Sequence, residues 1–304
     1  MSVVCVLGIT AVCSAARVAH FHLQSTGLSP EAKLLLTIWS LANQETFRQI
    51  ANRFGITRGY AHYLLKQYCH TLSALAQSKG IIRWPSSSEI IDLTKTNSFP
   101  GAFAAVDGCH IAIQTPLQHT DSYINRKSFA SVILQGVCKP NLEFIDISTG
   151  WPGSMHDARI YRLSSLRQML TSSVDENFHV LGNSAYPLEK CLMVPYRDDG
   201  HLTEKQKKFN YVLSVSRCSI ERAFGYLKGK FQRLKYLDIN DLGAVPSLIT
   251  ACCVLHNFIL QTERDTVTQD DVEITESNIV TCAEVQSSAD SVALRKRNDI
   301  ASRL

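Results

Sequence analysis

The acidic, amide and histidine side chains able to do chemistry fall in four short strings. Ala105-Val-Asp-Gly-Cys-His-Ile-Ala-Ile carries Asp107 and His110, and Gly150-Trp-Pro-Gly-Ser-Met-His-Asp-Ala-Arg-Ile-Tyr carries His156 and Asp157. Leu181-Gly-Asn-Ser-Ala-Tyr-Pro-Leu carries Asn183, and the fourth string, which starts at Phe209, carries Arg217 and Glu221. Oxygen-bearing side chains of this kind are what hard divalent cations demand. The chain has no Gly-x-Ser-x-Gly elbow, no His-Glu-x-x-His helix and no P-loop, so serine-hydrolase, zincin and nucleotide-triphosphatase chemistry lack their usual supports.

Taken in order, the four strings resemble the PIF/Harbinger transposase superfamily and the nuclease-like proteins derived from it. The resemblance covers roughly residues 30 to 260 and the closing Arg295-Lys-Arg-Asn-Asp-Ile. It implies a ribonuclease-H-like core in which an Asp, Asp, Glu triad binds two divalent metal ions, Mg²⁺ or Mn²⁺, for phosphodiester hydrolysis and strand transfer. Two such ions clamp the attacking and the leaving oxygen of the scissile bond. Matching motifs place Asp107 as the first carboxylate and Glu221 as the third. The second family Asp lies in a Leu-Gly-Asp-Ser string, and the matching position here is Asn183, with 37 residues between it and Glu221. An amide offers one neutral oxygen and removes a full negative charge, so weaker metal binding and slower chemistry are expected. Two readings follow: a residually active metal-dependent DNA endonuclease, and a catalytically silent, domesticated DNA-binding or scaffold protein.

Asp157 is a further candidate ligand, set against the capping role that an Asp in a first helical turn more often has. Asp146 alternates with Phe144 and Ile147 and reads as a solvent-facing strand carboxylate. His110 and His156 could polarise a ligand or hydrogen-bond a scissile phosphate, and a core or supporting placement is as good a reading for both. Arg217 stands one turn before Glu221 and can pair with it. With Lys228, Lys230 and Arg233 it is expected to grip a DNA backbone beside the site.

These residues need elements to position them. Residues 29 to 75 read as helices, opened by Ser29-Pro30 as cap and first turn. Glu45 to Phe54 is helical in spacing, Gly55 ends it, and Thr57 caps the next helix. Helix, glycine turn and helix form the pattern of a helix-turn-helix, with Arg58 and His62 facing a major groove and Arg53 near phosphate, against the plainer reading of a helical hairpin. From about Phe99 the pattern turns extended: strands at Ala104 to Ile113, Phe129 to Cys138 and Leu142 to Ser148, a helix at Asp157 to Leu170, and a strand at Phe178 to Gly182. The expected class is α/β, a mixed sheet flanked by helices and preceded by a small all-α region. The expected division is a helix-turn-helix region at 1–95, a nuclease domain at 96–260 and an acidic, irregular tail at 261–304.

With 45% hydrophobic and 19% charged residues, the composition is that of an ordinary globular protein. Residues 263–304 hold nine acidic and five basic side chains, which leaves the body more basic than the whole-chain net charge of +4 and suits a polyanion such as duplex DNA. The ten cysteines include no C-x-x-C pair and read as reduced thiols. Met1 to Ala16 is apolar but lacks a basic residue ahead of it, which argues against a secretory leader. No segment has the run of apolar residues a membrane span needs, so no membrane association is expected. The resemblance brings a Myb-like partner protein and a nuclear location as expectations, with the cytoplasm as an alternative compartment; a homo-oligomer stands open.

Overall fold

Ser29 accepts a hydrogen bond from the Ala32 N–H at 3.2 Å and, with Pro30 behind it, starts helix α1 (Pro30–Ala42). Thr46 and Gln49 form a reciprocal capping box that starts α2 (Phe47–Phe54), and Gly55 ends it in the left-handed region at φ 63°. Thr57 caps α3 (Arg58–Ser78) by accepting from the Tyr60 N–H. A second capping box, Ser86 with Glu89, opens α4 (Ser87–Thr96). A computed structural model describes residues 28–262 and 291–304 of the chain, so the apolar opening Met1 to Ala16 lies outside the described residues.

The sheet comprises β1 (Ala102–Ile113), β2 (Ser131–Cys138), β3 (Phe144–Pro152), β4 (His179–Leu181), β5 (Leu192–Met193) and β6 (Tyr236–Leu237). Its order is β3-β2-β1-β4-β5, with β6 paired to the far end of β1. β1, β2 and β3 are antiparallel neighbours; β4, β5 and β6 join in parallel. A short helix, α5 (Thr120–Tyr123), lies between β1 and β2, and α6 (Asp157–Leu163) and α7 (Ser165–Ser173) lie between β3 and β4. The expected single helix from Asp157 is broken at Ser164, whose hydroxyl donates to Gln135 Oε1 on β2 and to the Tyr161 carbonyl. After β5 come α8 (Glu204–Lys230), α9 (Val245–Thr262) and α10 (Ser291–Arg303).

Alternation along β1 divides the core between the two sheet faces. Phe103, Val106, Val137, Tyr161, Leu166 and Leu170 form one cluster under α6 and α7. Ala105, Cys138, Phe144, Phe224 and Leu227 belong to a larger cluster under α8 and α9. That cluster runs without a break into Leu34, Ile50, Leu64 and Leu72 of α1–α3, so the front helices share the core of the sheet. Asn257 of α9 ties these parts together: it accepts from the Phe144 N–H at 2.8 Å and donates to the carbonyls of Phe144 and Ile81. The Leu242–Thr262 segment is apolar enough by composition to cross a membrane, but Leu248, Ile249, Cys252, Cys253 and Leu255 within it are core residues. Mixed strands with helices on both faces are consistent with the ribonuclease-H-like core that the motifs imply.

The structure departs from three expectations here. Arg233, expected on a DNA-facing surface, is buried: it donates to the Ser40 carbonyl at 2.9 Å and the Glu45 carbonyl at 2.6 Å, bolting the end of α1 to the turn after α8. The expected irregular tail from 261 includes α10, whose Ala293, Ile300 and Ala301 are buried; α9 also runs on to Thr262. Lys296 of α10 donates to the carbonyls of Glu176, Phe178 and Lys190, and Tyr196 Oη donates to Asn298. Asp146, expected to face solvent, instead has an Oδ2 atom buried without a hydrogen-bond partner.

Burial pushes the Asp146 carboxyl up to about 6, against the opposing pull of the Ile147 N–H. The folded protein therefore holds that proton more tightly than the unfolded chain, so ionisation costs stability as pH rises from the ordinary Asp range through 6. Asp146→Asn removes the charge. The variant is expected to be more stable than wild type above pH 6, by up to about 3 kcal/mol, with the gain vanishing as pH falls from 6 to 4. Urea unfolding of both proteins across that range checks it; a gain unchanged at pH 4 would contradict the assignment.

Candidate active site

Asp107 sits in the middle of β1, opposite Gly136 of β2, with its side chain on the α8 face of the sheet. Glu221 lies on α8, whose Ile220, Phe224 and Leu227 are buried against that sheet. Asn183 follows β4, the strand parallel to β1. Strand neighbours and a packed helix thus bring the three motif positions to one place.

Nitrogen donors occupy the centre of this pocket. Arg217 donates through Nη1 to Asp107 Oδ2 at 2.6 Å and through Nη2 to Glu221 Oε1, bridging the two carboxylates. Its side chain is 14% exposed and that of Asp107 16%, so the pair is largely withdrawn from water. The other Asp107 oxygen, Oδ1, accepts from Asn183 Nδ2 at 2.9 Å and from the Gly108 N–H at 2.8 Å. Burial raises the Asp107 carboxyl above its ordinary range; the Arg217 charge and the Gly108 N–H oppose that rise without cancelling it. Burial alone would lower Arg217, but Asp107 and then Glu221 outweigh it and hold the guanidinium above its ordinary value.

The Asn183 orientation follows from its neighbours. Its Oδ1 accepts from the Ala185 backbone N–H at 2.8 Å, and since a backbone N–H can only donate, the nitrogen is the atom turned toward the carboxylates. The oxygen that could have served a cation is thereby engaged elsewhere.

Asp157 reaches the same pocket. A Cβ added at Gly108 would lie 2.5 Å from Asp157 Oδ1, so the glycine after Asp107 is what admits this carboxylate beside β1. Burial, and next the Asp107 charge, push the Asp157 carboxyl up to about 6, while a hydrogen bond with Asn183 and the Arg126 charge pull the other way. The N-cap position of α6 is held by His156, which makes no side-chain capping bond, and Asp157 stands one residue later in the first turn. Tyr186, buried beneath the pocket, feels both Asp157 and Asp107; burial first and these charges next hold its phenol well above its ordinary value.

Such a donor set does not fit a two-ion centre. Two divalent ions would bring about four positive charges to be met by oxygen ligands. Here a guanidinium already spans Asp107 and Glu221, and an amide nitrogen faces Asp107. Among the described residues, no group of three or more His, Cys, Asp or Glu side chains is arranged to hold a metal ion.

The remaining sequence-predicted residues are dispersed. Lys228 donates to the His110 carbonyl at 2.8 Å, near the pocket, while Lys230 stands over the Tyr226 ring. Arg58 is exposed at the start of α3, and His62 is half-buried with its ring 4.7 Å from that of Phe47. Arg53 pairs with Glu45 at 2.6 Å and lies over the Trp39 ring. Sequence reasoning missed Arg126, which contacts His156 Nδ1 through Nη2 at 2.5 Å, and also Gly108 and Tyr186. The Asp-Gly pair in the first string was the available signal for Gly108.

The sequence model of the DDE superfamily endonuclease family matches residues 106–257, which takes in Asp107, Asp157, Asn183, Arg217 and Glu221. The chain is 26% identical over 252 residues to the Arabidopsis thaliana protein "Antagonist of like heterochromatin protein 1", covering 77% of this chain and 63% of that one. It is likewise 26% identical over 252 residues to the Homo sapiens "Putative nuclease HARBI1", covering 78% and 69%. The Xenopus laevis protein of that name is 21% identical over 260 residues, covering 81% and 72%. The chain thus spans less than two thirds of the length of the Arabidopsis relative. No solved structure matches.

Proposed function

Because the chain belongs to the DDE superfamily endonucleases, in the Harbinger transposase-derived group, we propose that it binds duplex DNA and retains at most residual phosphodiester cleavage. The observation that carries this reading is the engagement of both Asp107 oxygens by protein N–H donors: Arg217 on one, Asn183 and Gly108 on the other. A cleavage centre of this family relies on such carboxylates being open to divalent ions. Here an arginine meets their charge and an amide nitrogen stands where the second Asp of the triad would.

A catalytically silent DNA-binding or scaffold protein is the second reading, favoured by the Asn183 oxygen being committed to Ala185. The first reading and the DNA-binding form of the second share DNA contact. Support for it comes from the basic body of the chain and from Arg58, exposed where α3 follows the Gly55 turn, as a reading helix would need. In either case the protein acts in the nucleus, and a Myb-like partner is part of the proposal.

Anisotropy of a labelled duplex across a salt series, run beside supercoiled plasmid with Mg²⁺ or Mn²⁺, tests it. Binding that weakens steeply with salt is expected, because phosphate contacts release counterions. Nicking is expected to be slow and to disappear in Asp107→Ala. Fast nicking by the wild type would sink the attenuated reading, and an absence of duplex binding at low salt would sink it too and leave only a scaffold.

A further inference from the structure

The second motif string is only partly used by the pocket, since Asp157 enters it while Gly153 and His156 do not. A Cβ at Gly153 would lie 2.2 Å from Ser131 Oγ and 2.5 Å from the Tyr123 carbonyl oxygen. Glycine is therefore required for the chain after β3 to press against the end of α5 and the start of β2. That approach puts His156 against the loop between those elements, where Arg126 Nη2 lies 2.5 Å from His156 Nδ1. A guanidinium only donates, so Nδ1 is the acceptor and the ring proton sits on Nε2.

His110 is set in the same way. Ser131 Oγ accepts from Asn125 Nδ2 at 3.0 Å and lies 3.0 Å from His110 Nδ1, so a hydrogen bond on that nitrogen orients the exposed ring. Asn125 also shapes the loop: its Oδ1 accepts from the Lys127 N–H at 2.9 Å, and Ser128 takes the left-handed region at φ 62°. The result is a tight turn presenting exposed Arg126 and Lys127 beside exposed His110 and His156. Lys228 joins them from α8, anchored on the His110 carbonyl. All three cations are near enough to disfavour a charged His110, after burial, and Arg126 is near enough to act on Asp157.

An array of cations and exposed imidazole rings, built by a glycine and an asparagine and placed along one side of an acidic pocket, has the chemistry of a phosphodiester receptor. We infer that Arg126, Lys127, Lys228, the Nε2–H of His156 and the exposed ring of His110 form a clamp that seats the sugar-phosphate backbone of a DNA strand at the mouth of the Asp107 pocket. This rests on the DNA-binding reading above and names the surface that would perform it.

The test uses the full chain and a fluorescein-labelled duplex between 50 and 200 mM KCl. Arg126→Gln/Lys127→Gln is expected to make the slope of log K against log salt shallower by about 1.8, the share of two phosphate contacts, and to weaken binding at 50 mM about tenfold or more. The unfolding midpoint should stay at the wild-type value because both side chains are exposed. Lys95→Gln, which removes an exposed cation of α4, should leave the slope unchanged. If the wild type binds and the double variant keeps its slope and affinity, the clamp is wrong while DNA binding stands. If the wild type does not bind at 50 mM, both fall.

Discussion

Replacing Arg217 by methionine lowers the stability of the protein in chelator by about 3–5 kcal/mol, the cost of breaking a buried ion pair by removing one partner. The magnitude follows from burial. Arg217 and Asp107 are each less than one-fifth exposed, and the guanidinium serves Glu221 as well, so its loss leaves two carboxylates facing each other without a counter-ion. Methionine keeps most of the side-chain volume, which limits any cavity term. Urea unfolding with an unchanged m-value would report a true stability loss. Part of it should be recovered by millimolar Mn²⁺, since the carboxylates then have oxygen atoms free for a cation. A variant as stable as wild type in chelator would mean that Arg217 is not the counter-ion of this pocket.

Asn183→Asp has the opposite profile. Its Oδ1 keeps the Ala185 N–H, but its outer oxygen repels Asp107 and Asp157 where Nδ2 donated to them. In chelator the variant is expected to lose about 1–3 kcal/mol, the cost of leaving buried polar groups unmatched. With Mn²⁺ present it should be more stable than in chelator, and its nicking of supercoiled plasmid should exceed that of wild type by at least about 10–100-fold. A contact that only supports a metal ligand already carries an effect of that size. Equal nicking by the two proteins would mean that position 183 does not limit the chemistry.

Much of this pocket was legible in the chain because its parts are local. Asp107 and Glu221 stand in strings whose order resembles that of the family, and the pairing of Arg217 with Glu221 follows from i, i+4 helical spacing. The contact of Arg217 with Asp107 joins residues 110 apart in sequence, and helical spacing carries no information about it. Asp157 was weighed as a cap because a first-turn Asp usually is one; the missing Cβ at Gly108 decides otherwise, and that is a property of the packed sheet. The strands β1–β3 were readable from alternation, whereas the break at Ser164 depends on a partner, Gln135, from another strand. Arg233 reads as a surface cation because it is charged, and only the folded chain shows backbone carbonyls converging on it, as they also do on Lys296. The acidic composition after Thr262 hid α10 for a similar reason: the helix is held by buried Ala293 and Ile300 and by Lys296, which a compositional average does not weigh.

The central claim is that nitrogen donors of Asn183 and Arg217 have taken the place of divalent ions between Asp107, Asp157 and Glu221. Calorimetric titration of Mn²⁺ into wild type and into Asn183→Asp/Arg217→Met tests it most directly. No saturable binding by wild type up to millimolar Mn²⁺, with binding gained in the double variant, is the predicted result. Tight Mn²⁺ binding by wild type that is lost in Asp107→Asn would contradict it.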